Sequence, residues 1–165
     1  MDDANQNDAG GIPAHMQPPE AFTAAVEEFA AHLGLDAQKL VQGHRFECNG
    51  VGFSLNHFGQ LDPHAATVFM DMGQVAKGSE AVVFRGLLER NALSVASRDG
   101  YYGVLPESNT VVYCIRVPLD GDARGADAIA LVVGSLADGI NRLQELTKKL
   151  LEEISGQAKA QPAGA

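Results

Sequence analysis

The apolar residues of this chain recur first at helical spacing, then at every second position, then at helical spacing again, and this double change of period limits the folds open to it. Phe22, Val26, Phe29 and Leu33 follow steps of four, three and four, which places them on one stripe of a helix of about three and a half turns. Gly34 is well placed to end it. Val51, Phe53 and Leu55 then alternate with Gly52, Ser54 and Asn56, and Val68, Met70 and Met72 alternate with Phe69 and Asp71. Such alternation marks strands with one face turned to a core. His44 to Cys48 predicts a further strand, joined to the next through Asn49-Gly50, a dipeptide suited to the positive φ angles of a two-residue hairpin turn.

Ser79 can cap a helix running to Leu93, with Glu80 near its positive end and Phe84, Leu87 and Leu88 supplying apolar surface. Gly100 to Leu119 predicts two more strands around a Pro106-Glu107-Ser108-Asn109 turn, with Val111, Tyr113, Ile115 and Val117 on one face. The last helix is the longest signal: Ile129, Val133, Leu136, Ile140, Leu143, Leu146, Leu150 and Ile154 hold helical steps for about seven turns, or roughly 40 Å. The expected order is therefore α-β-β-β-α-β-β-α. Short strands joined by tight turns make this an α+β fold, an antiparallel twisted sheet of about five strands with three helices.

A chain of 165 residues has room for one core. Residues 20–155 are read as that domain. Residues 1–19, with Gly10-Gly11, Pro13 and Pro18-Pro19, can bury too little to offset ordering and are expected to form a flexible N-terminal arm. Residues 156–165 are expected to form a flexible C-terminal tail. Twelve basic against twenty-one acidic residues leave a formal charge of −9, so the protein is acidic and repels phosphate backbones and anionic lipid. Nucleic acid and membrane insertion are excluded as expectations, and a basic partner segment suits the charge. The polar N-terminus lacks the pattern of a signal peptide, and Cys48 and Cys114 show no disulfide spacing. Both point to a reduced, cytoplasmic compartment.

Reactive chemistry finds little support. His44 with Cys48 and His57 with His64 fit no metal-ligand spacing, and the first pair would lie about 13 Å apart along a strand. Cys48 and Cys114 fall in strand patterns, where cysteine behaves as a small apolar residue. Gly50-Val51-Gly52 opens a strand, so it lacks the helix amides of a phosphate cradle. Asp71, Asp99, Asp120 and Asp122 read as solvated acids at strand ends. No catalytic residue, cofactor or metal is expected, and the chain is read as a non-enzyme. The alternative is a small-molecule-binding or enzymatic α+β domain with a pocket between the long helix and the sheet. A third reading is an oligomeric adaptor whose long helix holds another partner.

Two segments carry a family resemblance. Phe84-Arg85-Gly86-Leu87-Leu88-Glu89-Arg90-Asn91-Ala92-Leu93 holds a Leu-Leu-x-x-Asn helix. Gly103-Val104-Leu105-Pro106-Glu107-Ser108-Asn109-Thr110-Val111-Val112-Tyr113 continues to Arg116-Val117-Pro118-Leu119-Asp120, a Gly-rich hairpin with a Pro-Leu-Asp exit. In this order and spacing, residues about 20–154 resemble the class I type III secretion chaperones of the Tir-chaperone family. The chain departs from common members in lacking tryptophan and in its longer arm. The resemblance implies a bacterial, cytoplasmic homodimer that keeps the N-terminal chaperone-binding region of one or more effectors extended, soluble and export-competent, a role tied to virulence. Whether the complex docks on the secretion ATPase stays open.

The resemblance assigns Val83, Phe84, Leu87, Leu88 and Asn91 to the dimer interface, the alternative being packing within one subunit. For effector binding, strand parity turns Phe69 away from the core face, with Phe58 sharing that face if its strand runs on undisturbed. Val112 and Cys114 likewise oppose the Val111 series. The expectation is an exposed apolar patch; the alternative is a second helix covering it. A client strand could also pair with an open sheet edge.

Overall fold

A computed structural model describes residues 17–94, 100–122 and 124–160, without the side chains of 94, 143, 144 and 146–160. The first helix, α1 (Glu20–Leu33), ends where Gly34 turns left-handed at φ 67° and returns its N–H to the carbonyls of Ala30 and Ala31. A short helix, α2 (Ala37–Val41), follows, capped by Asp36, whose side chain accepts from the Lys39 N–H at 3.2 Å. This helix was absent from the expected order, because five residues are too few to show a 3.6-residue period.

Five antiparallel strands come next: β1 (Phe46–Cys48), β2 (Val51–Asn56), β3 (Ala65–Gln74), β4 (Tyr101–Leu105) and β5 (Thr110–Pro118). A single 3₁₀ turn at Gly59–Leu61 lies between β2 and β3. The helix α3 (Glu80–Ser94) leads from β3 to β4, and α4 (Gly125–Ala160) ends the chain. The sheet order is β1-β2-β3-β5-β4, so the β4–β5 hairpin folds back to place β5 beside β3. The fold is α+β, a five-stranded antiparallel sheet with helices, as the periodicity predicts.

One face of the sheet holds the core. Phe53, Leu55, Val68, Met70 and Val117 pack against Phe22, Val26 and Phe29 of α1 and Ile129, Val133 and Ala137 of α4. Ring contacts join Phe29 to Phe46 at 5.6 Å and Phe46 to Phe53 at 5.9 Å. The helical stripe of α4 is buried as far as Ala137, and Ile140 packs at its margin. The expected stripe positions Leu143, Leu146, Leu150 and Ile154 lie outside the described side chains. The expected start of the tail at Gly156 falls inside α4, whereas residues 161–165, residues 1–16 and Asp99 lie outside the described residues.

Met72 departs from its predicted place in the core series and is 42% exposed. The cause is a bulge: the pairing with β5 shifts between Asp71 and Gly73, Gly73 takes φ 98°, and its N–H donates to Asp71 Oδ1 at 2.9 Å. An extra residue in one strand flips the parity beyond it.

Phe53 lies against Phe46 at 1% exposure. Phe53→Ala should therefore lower unfolding stability by about 3–5 kcal/mol. Urea titration followed by circular dichroism reads this, and a midpoint within error of the parent would show the ring to be peripheral.

Candidate functional site

Register places Ser54, Phe69 and Cys114 side by side across β2, β3 and β5, on the face opposite the core. Tyr101 adjoins Cys114 from β4, and Asp71 pairs with Val112. Helices α1, α2 and α4 give their buried residues to the inner cluster, and α3 packs against β4. No described helix is layered over this outer face.

The face is nevertheless not an open apolar sheet. Phe69 is half-buried, but Val112 and Cys114 are 4% and 1% exposed, against the expectation of an exposed pair. Their cross-strand partners on β4 are Gly103 and Tyr101. Tyr101 hydrogen-bonds with Cys114, and the Cys114 thiol is pushed up to about 11 by that burial. A thiol held protonated at neutral pH is a poor nucleophile.

Phe58 does not join this face. β2 stops at Asn56, and Phe58 begins the 3₁₀ turn, 48% exposed beside Leu61 at 91%. The condition for its predicted orientation, an undisturbed strand, is not met.

Two ion pairs bracket the outer face. At one end Arg116, paired in register with Thr67, grips Asp62 through both guanidinium branches, Nη2 to Oδ1 at 2.7 Å. The same pairing holds the Asp62 carboxyl below its ordinary range. At the other end Arg45 reaches over Gly52 to Asp71 at 3.4 Å. A Cβ at residue 52 would collide with that guanidinium, which gives the strand glycine its reason. Beside the Arg45–Asp71 pair lies a groove of about 320 Å³, floored by Ser54, Phe69 and Val112 and walled by Arg45, Asp71, Leu105 and Thr110. Sequence parity found Phe69 and Val112. It missed Arg45 and Leu105, for which the only local signal was the glycine at 52.

The second surface is α3. Val83, Phe84 and Leu87 are half-buried, whereas Val82, Leu88 and Leu93 are 79%, 69% and 76% exposed. A helix with apolar groups on the packed side and the open side has a face without a partner among the described residues. Asn91 was expected at a dimer contact, yet its amide is engaged at home. Its Nδ2 donates to the Tyr102 carbonyl at 2.8 Å, and its Oδ1 accepts from the Tyr102 N–H at 2.7 Å.

Among the described residues no group of three or more His, Cys, Asp or Glu is placed to share a metal ion, and no helix is long and apolar enough to cross a membrane. His57 stands at the β2 exit with its ring 5.0 Å from Phe22, and its Nδ1 accepts from the Gly59 N–H at 3.1 Å. Burial lowers its pKa below the ordinary 6.5. The stability from neutral His57 is thus present above pH 6.5 and lost as pH falls from there towards the lowered folded value. The melting temperature should drop between about pH 7 and pH 5, and His57→Gln should flatten that drop. An identical slope in the variant would exclude His57 as its source.

No family model and no curated relative matches the sequence. Among solved structures the chain is similar to one from the crystal structure of the ExsC–ExsE complex, at a TM-score of 0.54 and 17% identity, covering 79% of this chain and 96% of that one. The likeness is one of fold: this protein has the α+β architecture of a chain crystallised as one half of a two-protein complex.

Proposed function

We propose that this protein is a type III secretion chaperone, a cytoplasmic homodimer that binds the N-terminal region of one or more effectors and keeps it extended and export-competent. The observation that carries the reading is a sheet covered by helices on one face only, with a half-apolar groove on the other and a second unpartnered apolar surface on α3. A catalyst needs neither. A chaperone that grips an extended client as a dimer needs both. The likeness to a chain found with a bound partner protein supports the same reading.

Each half of the assignment has its own residues. Val83, Phe84, Leu87 and Leu88 of α3 form the dimer contact, with Leu88 the most exposed of the four. Phe69 and Val112 receive an apolar side chain of the client in the groove beside the Arg45–Asp71 pair. Cys114 supports that floor from beneath Tyr101, and the exposed Phe58 extends the apolar contact beyond the sheet. Docking on the secretion ATPase would follow loading.

The direct test is a pull-down from a secreting strain with identification of the partner, alongside solution mass. An effector bound through its N-terminal region is the expected result. Recovery of no polypeptide, with ligand-dependent stabilisation by a metabolite instead, would replace the reading with the small-molecule one.

Burying one large apolar side chain is worth about 1.5–3 kcal/mol, or about 10- to 100-fold in affinity. Phe69→Asp should weaken effector capture by at least that lower factor while the solution mass stays that of a dimer. Leu88→Asp should do the reverse, shifting the mass towards the monomer at low concentration. If both variants disturb only capture, α3 is not the subunit interface.

A further inference from the structure

Among the described elements, α3 packs chiefly against β4. Its half-buried residues Val83, Leu87 and Asn91 follow steps of four, with Phe84 at their border, so one stripe of the helix carries the contact. Val83 and Leu87 are apolar, and apolar burial is non-directional. It holds the helix to the strand without setting its height along it. Asn91 supplies the direction: its Nδ2 donates to the Tyr102 carbonyl at 2.8 Å, and its Oδ1 accepts from the Tyr102 N–H at 2.7 Å.

The residue type is specific to that task. A carboxamide carries a donor and an acceptor on one rigid group, and only one of its two orientations matches both backbone groups of Tyr102. A carboxylate would set oxygen against oxygen at the carbonyl, and an aliphatic side chain would leave both groups bare. The bonds also occupy the middle of β4, where alternation leaves Val104 as the other outward residue of the strand. On the far side of α3, Val82, Leu88 and Leu93 stand in solvent.

We propose that Asn91 is the positioning residue of the subunit contact. It touches no second copy; it fixes α3 on β4, so that Leu88 and the uncovered parts of Val83, Phe84 and Leu87 form one set surface for a second copy to meet. The same two bonds close the centre of the β4 edge, which leaves the helix as the route of self-association. The inference rests on the dimer reading and deepens it, because the apolar contact then depends on a polar residue working within one chain.

Two quantities measured on the full chain test this: Tyr102 amide exchange by NMR, and the dimer dissociation constant from solution mass against concentration. Because the bonds are internal to one chain, Tyr102 should exchange slowly in the parent and as slowly in Leu88→Asp at a concentration where that variant is monomeric. Asn91→Leu should speed Tyr102 exchange by about tenfold or more, leave the central amides of β3 and β5 at their parent rates, and weaken the dimer by about tenfold or more. A residue lying in an apolar subunit contact would accept leucine with an unchanged or tighter dimer, and that result overturns the inference. A weakened dimer with Tyr102 at its parent rate overturns it too. So does fast Tyr102 exchange in Leu88→Asp, a measurement that leaves Asn91 in place and does not depend on how Asn91→Leu folds. A parent that stays monomeric sinks the dimer reading and the seating role with it, whereas a dimeric parent indifferent to Asn91→Leu sinks this inference alone.

Discussion

Pairing of β3 with β5 over nine residue pairs forms the spine of the molecule, and both neighbouring hairpins take their orientation from it. Because these strands are central, each residue on them is committed by parity either to the helices or to the outer face. Val68, Met70 and Val117 go to α1 and α4, and Phe69, Val112 and Cys114 go the other way. A slip of one residue would exchange the two sets and expose the core. The outer face is thus as firmly specified as the core, although no described helix is layered on it.

A one-sided sheet must keep its second face soluble without making it useless for binding. Here the solution is mixed composition. Thr67 and Ser54 break the apolar run, the Arg45–Asp71 and Arg116–Asp62 pairs close its ends, and Tyr101 shelters the deepest thiol. The exposed ion pairs contribute little to stability individually. Their effect is to break up what would be a broad sticky surface, with a half-apolar groove left beside the Arg45–Asp71 pair, which suits a partner that arrives as an extended chain.

Most of the architecture was legible because period is legible. The stripe at Phe22, Val26 and Phe29 and the alternation at Val51, Phe53 and Leu55 are properties of neighbouring residues, and they placed three helices and five strands. What failed was whatever depended on a single local event. The Asp71–Gly73 bulge removed Met72 from the core, and the early end of β2 removed Phe58 from the outer face. Five-residue α2 gave no period to read. The burial of Val112 and Cys114 also escaped, since parity says which way a side chain points but not how much of it is covered. Asn91 was picked out by motif, yet its work on Tyr102 links positions eleven apart across a connection whose path sequence alone does not give.

That last contact ties the two halves of the proposed function to one element. The helix α3 packs against β4, and its apolar side chains are divided between that contact and open solvent. Two hydrogen bonds from one carboxamide fix its height along the strand. The same bonds occupy the outward backbone groups of Tyr102, so whatever seats α3 for a subunit contact also withdraws β4 from strand pairing. On the proposed reading Asn91 then serves both the seating of the subunit contact and the closing of the β4 edge, so that the apolar side chains exposed on α3 do not stand beside an open sheet edge, the combination most prone to uncontrolled self-association.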